Sequence, residues 1–324
     1  MSKSSDLVRG QLLEILVDGE FHSGETLGQT LGVSRAAISN HIKTLVSLGL
    51  DIFSVTGKGY RLAKSLTLLD HQKIIDAVAA NSSAEIEVLN VIGSTNQYLK
   101  DKLDELQSGH VCLAEAQTAG RGRHGRKWVS PYAASLYLSM HWNFAGGYAA
   151  LGGMSLAVGV AIATALNQSG IQGLQLKWPN DIYAQGKKLA GILIEVEGQI
   201  GSECQAIIGI GLNVALPTTV KEIDQPWIDL AQLNESAIDR NLLASHLISE
   251  LRKSLRVFEE HGLAPFISKW QALDLYANQA VKLISGKTIV SGICKGIDAS
   301  GAILLETKQG TQAYHGGEIS VRPL

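Results

Sequence analysis

The chain reads as an α+β protein in three parts: a winged helix-turn-helix, a central domain built on a mixed sheet, and a small β-barrel at the C-terminus. Three observations predict it. Helical apolar spacing with cap residues fills the first fifty residues and gives way to a short hairpin. Apolar runs joined directly by turn residues occupy 174–214 while helical stretches are grouped elsewhere, which argues an antiparallel or mixed sheet rather than a βαβ repeat. The last fifty residues alternate in hydropathy and are punctuated by glycine turns. A length of 324 residues suggests two or three domains, and 45% hydrophobic residues suffice for packed cores.

Leu12, Ile15 and Leu16 fall at helical spacing, so a first helix is expected to end near Gly19. Ser23 caps a second helix with Leu27 and Leu31 on one face, and Gly32 sits where a left-handed terminator is needed. Ser34 then caps a third, whose buried stripe is Ile38, Ile42 and Leu45; the tight Gly-Val-Ser turn between them reads as helix-turn-helix. Arg35, Ser39, Lys43 and Ser47 are four apart on the outward face, with Asn40 beside them, a face suited to a major groove. Charge shifts from -3 over residues 1–30 to +4 over residues 31–64. Residues 51–56 and 60–62 flank Gly57-Lys58-Gly59, a hairpin wing whose tip Lys58 can meet phosphate. A protein-docking module is the alternative for such a triplet.

Residues 65–70 read as a linker, and 69–80 as a helix opening the central domain. Glu85–Ile92 is strand-like and runs into Gly93-Ser-Thr-Asn96 and a charged helix to Leu106, which Ser94 and Thr95 could simply cap. His110–Ala116 is a strand leading through Gln117 to Gly120-Arg-Gly-Arg-His-Gly-Arg-Lys-Trp128, four fixed cations among three glycines in a chain of net charge -2. Glycine permits close backbone approach, and arginine grips carboxylate or phosphate in two places. An anion-binding loop is therefore expected; a solvated basic turn, the alternative, would not need Trp128. A dinucleotide fingerprint fails because a strand, Ser135–Met140, follows the loop and Asp or Glu is absent between Glu115 and Asp181. A P-loop fails because Arg126-Lys127-Trp128 stands where Gly-Lys-Ser/Thr is required.

Ala149–Leu166 is uncharged over 18 residues, yet its Ala and Gly content and its lack of flanking Lys or Arg argue a helix packed on a sheet, not a membrane span. Leu174–Trp178 reads as a strand stopped by Pro179-Asn180-Asp181; Lys188–Val196 and Ala206–Val214 follow around a turn at Gln185-Gly186. Residues 240–272 are helical by period, and strands are expected in 281–284, 287–293, 302–306 and 311–314, with turns at Ser285-Gly286, Ser300-Gly301, Gln309-Gly310 and Gly316-Gly317. Cys112, Cys204 and Cys294 are far apart and odd in number, which suggests neither a zinc site nor a disulfide framework and suits a reduced cytoplasm; the first twenty residues lack a secretory pattern.

Four blocks in this order, Gly93–Asn96, Gly120–Trp128, Lys177-Trp-Pro-Asn-Asp181 and Lys188-Leu-Ala-Gly-Ile-Leu193, resemble a biotin protein ligase, and the match covers nearly the whole chain. The resemblance implies a class II synthetase-like catalytic domain over 71–272 and an SH3-like domain over 273–324, behind a DNA-binding domain at 1–64. It implies that biotin and ATP, with Mg2+, form biotinyl-5'-AMP and pyrophosphate, and that the acyl group passes to a lysine of a biotin carboxyl carrier protein. Ser94, Thr95, Asn96, Gln117, Gly120 and Gly191 would then meet biotin. Arg121, Arg123 and Lys188 would neutralise carboxylate and phosphate, and Asp181 would bind Mg2+ or orient the amine. Arg126, Lys127, Lys177, Asn180 and Asn213 would line the adenylate, with Trp128 over the adenine. Family members with an N-terminal DNA-binding domain repress biotin synthesis, so operator DNA and a homodimer promoted by biotinyl-AMP, paired near Leu193–Val196, are implied as partners. His124 stands where relatives vary and receives no role. A lipoate-type ligase and a ligand-sensing regulator without catalysis are the alternatives.

Overall fold

The computed structural model describes residues 3–63, 66–78, 84–198, 203–217, 220, 222–234, 238–316 and 319–324. Lys64, the start of the expected linker, the last two residues of the expected 69–80 helix and Gly317 lie outside them.

The N-terminal elements follow from local caps. Helix α1 (Lys3–Leu16) is followed by α2 (Gly24–Leu31), whose Ser23 cap accepts from the Thr26 amide and whose Gly32 terminator has φ 66°. Helix α3 (Arg35–Ser47) is capped by Ser34 and buries Ile38, Ile42 and Leu45. Strands β1 (Ile52–Val55) and β2 (Gly59–Leu62) form the wing, and His22 adds a further bridge to Tyr60. Arg35, Asn40, Lys43 and Lys58 are exposed and Ser39 is half-buried.

The expected linker is clamped rather than free. Leu69 N–H donates to Glu115 Oε1 at 2.5 Å, Arg240 donates to the Thr67 carbonyl and to Glu115 Oε2, and Asn241 bonds both Leu68 and Asp70. Helix α4 (His71–Ala77), capped by Asp70, then leads to β3 (Ile86–Ile92). Helix α5 (Thr95–Lys100) stops six residues short of the expected end at Leu106, giving way to a 3-10 turn at Leu103–Glu105. Lys102 and Tyr98 both turn toward Glu87 on β3 there.

A seven-stranded sheet carries the central part, in the order β3-β4-β5-β9-β8-β7-β6. Its remaining strands are β4 (Val111–Gln117), β5 (Ser135–Phe144), β6 (Leu174–Lys177), β7 (Asp181–Ala184), β8 (Lys187–Gly198) and β9 (Cys204–Asn213). Only β3 and β4 pair in parallel, so the sheet is mixed as expected. Helix α6 (Met154–Gln168) is buried on nearly every side, as its uncharged composition requires, but starts five residues later than expected, after Gly152-Gly153. No helix among the described residues is long and apolar enough to cross a membrane.

Short α7 (Leu230–Leu233) precedes α8 (Arg240–His261), which packs along α6; the expected helix over 240–272 breaks at Gly262 (φ 61°) and Pro265 and resumes as α9 (Ile267–Ala272). The C-terminal part is an antiparallel sheet of β10 (Ala280–Ser285), β11 (Thr288–Ile297), β12 (Ile303–Thr307), β13 (Gly310–Tyr314) and β14 (Ile319–Pro323), ordered β13-β12-β11-β10-β14. Its core residues Val281, Leu283, Leu305 and Val321 join the central core, so the two parts pack as one apolar body.

Candidate active site

A cleft of about 370 Å3 opens over β8 and β9, and all the small-molecule residues expected from the sequence line it except Gly120. Gly120 forms the neck of the basic loop instead: a Cβ there would lie 2.5 Å from the Trp128 carbonyl oxygen and 2.7 Å from Ser130 Oγ. The neck closes through Trp128 N–H to Gly120 O at 2.9 Å and Gly122 N–H to Arg126 O at 2.7 Å. His124 and Gly125 turn the tip with φ 57° and 70°.

One end of the cleft is neutral and rich in hydrogen-bonding groups. Ser94, Thr95 and Asn96 are buried there at the start of α5. Ser94 occupies the cap position but its hydroxyl caps nothing, so the simple helix-cap reading fails for it. Gln117 Oε1 accepts from the Thr95 amide at 2.9 Å, and Gln117 Nε2 donates to Ser130 Oγ at 3.1 Å.

The other end is cationic, but its charges are partnered. Lys188 Nζ lies 2.8 Å from Asp181 Oδ1 and 5.4 Å from the centroid of the Trp128 ring. Asp181 Oδ1 is buried, and Lys188 is its ion-pair partner. Arg123 Nη1 donates to Asn180 Oδ1 at 2.9 Å; burial pulls Arg123 below the usual guanidinium value, and Asp181 opposes that. Arg121 lies nearer the neutral end, where its Nη2 is tied at 2.8 Å to the Glu195 Oε2 that also accepts from Asn96. Lys177, buried, donates to the Tyr183 hydroxyl at 3.1 Å, and desolvation pulls it down to about 8. Arg126 and Lys127 line the same rim.

The Trp128 ring lies on the glycine floor of the sheet. A Cβ on Gly191 would lie 3.0 Å from it, and one on Gly211 would lie only 2.3 Å from the indole. Asn213 is buried and donates to the Ile228 carbonyl at 3.0 Å, holding a loop instead of facing the cleft freely.

That loop was not anticipated from the sequence. Residues 222–227 wall the cleft, with Lys188 N–H bonded to the Pro226 carbonyl at 3.0 Å, and Trp227 lines it together with Trp178. A tryptophan in the aperiodic run Asp224-Gln-Pro-Trp227 was the available signal, the same one that marked Trp128. Arg322 and Ile319 of β14 also reach the cleft, across a separation that only tertiary packing closes.

Comparison with known proteins matches residues 88–213 to the biotin/lipoate A/B protein ligase family, 9–61 to an HTH domain and 276–322 to the biotin protein ligase C terminal domain. The bifunctional ligase/repressor BirA of Escherichia coli K12 is 49% identical over 313 residues, which is 96% of each chain. Its Bacillus subtilis namesake is 30% identical, covering 97% of this chain and 98% of that one. This chain belongs to the biotin protein ligases, in their bifunctional ligase/repressor form. A solved biotin protein ligase of Aquifex aeolicus in complex with biotin and ATP superimposes with a TM-score of 0.67 at 29% identity, covering 74% of this ligase and 99% of the Aquifex chain. The ligase/repressors match almost throughout, and the Aquifex enzyme leaves about a quarter of this ligase without a counterpart.

Proposed function

We propose that this ligase binds biotin and ATP end to end in the cleft, forms biotinyl-adenylate, and passes the acyl group to a lysine of a biotin carboxyl carrier protein. The observation that carries the reading is the polarity of one cleft: neutral hydroxyls and amides at Thr95 and Gln117, cationic side chains at Arg123, Lys177 and Lys188. The neutral end suits a ureido ring, whose groups both donate and accept. The cationic end suits a carboxylate attacking an α-phosphate, where Lys188 and Arg123 offset charge that grows as the two join. Lys177, Arg126 and Lys127 take the leaving pyrophosphate, and Trp128 and Trp227 enclose the nucleotide and exclude water.

Mg2+ would enter with the triphosphate, shielding its charge. Among the described residues there is no group of three or more acidic, His or Cys side chains placed to hold an ion, which fits a metal held mainly by phosphate and water. Asp181, which lines the cleft beside Lys188, is the carboxylate we assign to it.

Residues 1–64 serve as the operator-binding unit in this reading, with α3 in the major groove and Lys58 on the backbone. One such unit spans too few base pairs for genomic specificity, so a dimer is required. The edge of β8 from Leu193 to Gly198 bonds β9 on one side, while β7 pairs only with residues 187–191. That leaves an edge on which a second copy can add, with biotinyl-adenylate as the promoter and carrier protein as the competitor, in a cytoplasmic setting.

Biotin-dependent ATP–pyrophosphate exchange, followed by labelling of a carrier domain at one lysine, tests the catalytic half; exchange with lipoate and none with biotin would overturn it. Sedimentation with operator titration, run with no ligand, with biotin and with biotin plus ATP, tests the repressor half. Equal dimerisation and equal DNA affinity in all three would sink the switch.

A further inference from the structure

The wing of the N-terminal part has two faces, and packing accounts for one of them. Ile52, Tyr60 and Leu62 turn inward to the apolar cluster that holds Leu12 and Ile38. The alternate positions Phe53, Val55 and Arg61 turn outward, with Phe53 directly across from Arg61 in the register of β1 and β2. A third extended segment joins on the far side of β2. His22 and Tyr60 exchange both backbone hydrogen bonds there at 2.9 Å, an approach so close that a Cβ on Gly59 would clash with the His22 carbonyl. Continuing that antiparallel register sets Phe21 beside Arg61. The guanidinium is thereby sandwiched: its carbon lies 4.7 Å from the centroid of the Phe21 ring and 5.3 Å from that of Phe53. Phe53 and Val55 are nonetheless exposed.

We infer that Arg61, clamped between Phe21 and Phe53, grips a phosphate of duplex DNA and is the principal DNA contact of the wing, ahead of Lys58 at its tip. Aromatic rings hold a guanidinium by its faces, while its N–H donors point outward from its edge. The rings therefore fix the group without using its donors. Among the described residues Arg61 has no ion-pair partner, whereas Arg121 and Arg240 each face a carboxylate, and Arg61 Nε is buried without a hydrogen bond. Its charge stays available to an anion from outside. Two oxygens of one phosphate accept parallel N–H bonds from such an edge, a geometry that a lysine cannot match. Because the side chain is ordered in advance, less conformational freedom is lost when the anion arrives. Lys58, by contrast, is exposed and comes no nearer to the Phe21 centroid than 5.8 Å. The partner is a polyanion, since Arg35 and Lys43 of α3 carry the same sign on this unit and Asp51 is the sole acidic residue in 31–64. The inference rests on the reading of residues 1–64 as the operator-binding unit. Phe21 and Phe53 are positioning residues acting through Arg61.

The test titrates the full-length protein onto mixed-sequence duplex DNA over a series of salt concentrations, because binding of that kind reports phosphate contacts directly. Arg61→Ala should flatten the plot of log affinity against log salt by about 0.9 for each protomer bound, and should weaken binding at low salt by about tenfold. Lys58→Ala should weaken it by about threefold at most. Phe53→Leu and Phe21→Leu keep every charge, so each should hold the salt slope while weakening binding by roughly threefold. Arg61→Lys should recover the slope without recovering the affinity. Phe53 is exposed, so Phe53→Leu decides the role of the sandwich if Phe21→Leu fails to fold. A wild type that binds no duplex DNA overturns the operator-binding reading and this inference with it. A wild type that binds while Arg61→Ala keeps its affinity and slope, or while the folded phenylalanine variants keep its affinity, overturns this inference alone. So does an Arg61→Ala protein that binds DNA normally but no longer labels a carrier domain, which would give this face to a protein.

Discussion

At the scale of single residues, the site is a set of cations waiting in pairs. Lys188 with Asp181 and Arg123 with Asn180 are held in place by these contacts, so in the proposed adenylation little reorganisation is needed when the carboxylate and α-phosphate meet between them. Lys188→Ala and Arg123→Ala should each lower pyrophosphate exchange by about 10²-fold or more, the usual scale for removing one preorganised charge. Unchanged rates in both would refute the charge-offset role. Lys177 adds a pH dependence whose sign can be worked out. Its folded value is pulled down to about 8 from an ordinary 10.5, so between those two values the unfolded chain binds more protons than the folded one. Stability contributed by this site therefore rises as pH climbs through that window, and below it the buried charge opposes folding. Function runs the other way. The free enzyme loses the Lys177 charge above pH about 8, so kcat/KM for ATP should fall on an alkaline limb near that value. Lys177→Arg should move the limb upward, and a limb unmoved by that change would remove Lys177 from the assignment.

At the scale of elements, what the sequence made legible was what neighbouring residues decide. The caps Ser23 and Ser34, the terminator Gly32 and the stripe Ile38, Ile42, Leu45 are local, and the structure repeats them. Where the ends of α5 and α6 differ from expectation, the cause is a partner from elsewhere or a glycine pair whose weight periodicity does not register. The candidate site was legible as four separated motifs, but the ties that set its side chains were not. Arg121 to Glu195, Asn96 to Glu195 and Arg240 to Glu115 join residues 74, 99 and 125 positions apart. The last of these anchors an element boundary: Arg240 at the start of α8 and Glu115 on β4 are both buried, and together they fasten residues 67–69. Arg240→Ala would leave a carboxylate buried without its cation and should cost about 3–5 kcal/mol of stability in urea titrations. A loss under about 1 kcal/mol would mean that water replaces the guanidinium and that the clamp matters little.

At the scale of the whole molecule, the DNA-reading unit and the ligase cleft share a core. Ala116, Tyr132 and Ala133 of the central part pack into the same apolar cluster as Leu12, Leu45 and Leu50. The Tyr132 amide donates to the Leu48 carbonyl at 2.8 Å, one residue beyond α3, and Gly49 packs against Pro131 so closely that a Cβ would clash. Pro131 follows Ser130, whose hydroxyl receives the Gln117 amide at the neutral end of the cleft. Helix α3 and the cleft are thus separated by three consecutive residues, Ser130 to Tyr132, with a fixed contact at each end. Deleting residues 1–64 removes the helix and the wing, so operator binding should vanish. The sheet and its main core do not depend on that segment, so the remainder should fold and adenylate biotin at saturation. Tyr132 and Ala133 would, however, become exposed, and the 130–132 segment would lose its outer support. Biotin affinity should fall by roughly tenfold, within the ordinary range of coupling free energies. Tyr132→Ala in the full-length chain separates the contact from the mere loss of a domain: it should reproduce part of the affinity loss with α3 still present. Coupling of this kind is reciprocal, so the same variant should also show a smaller gain in operator affinity on adding biotin and ATP than the wild type shows. Calorimetric biotin titration of the three proteins decides it, and equal affinities across all three would mean that the two units share a surface without sharing energy.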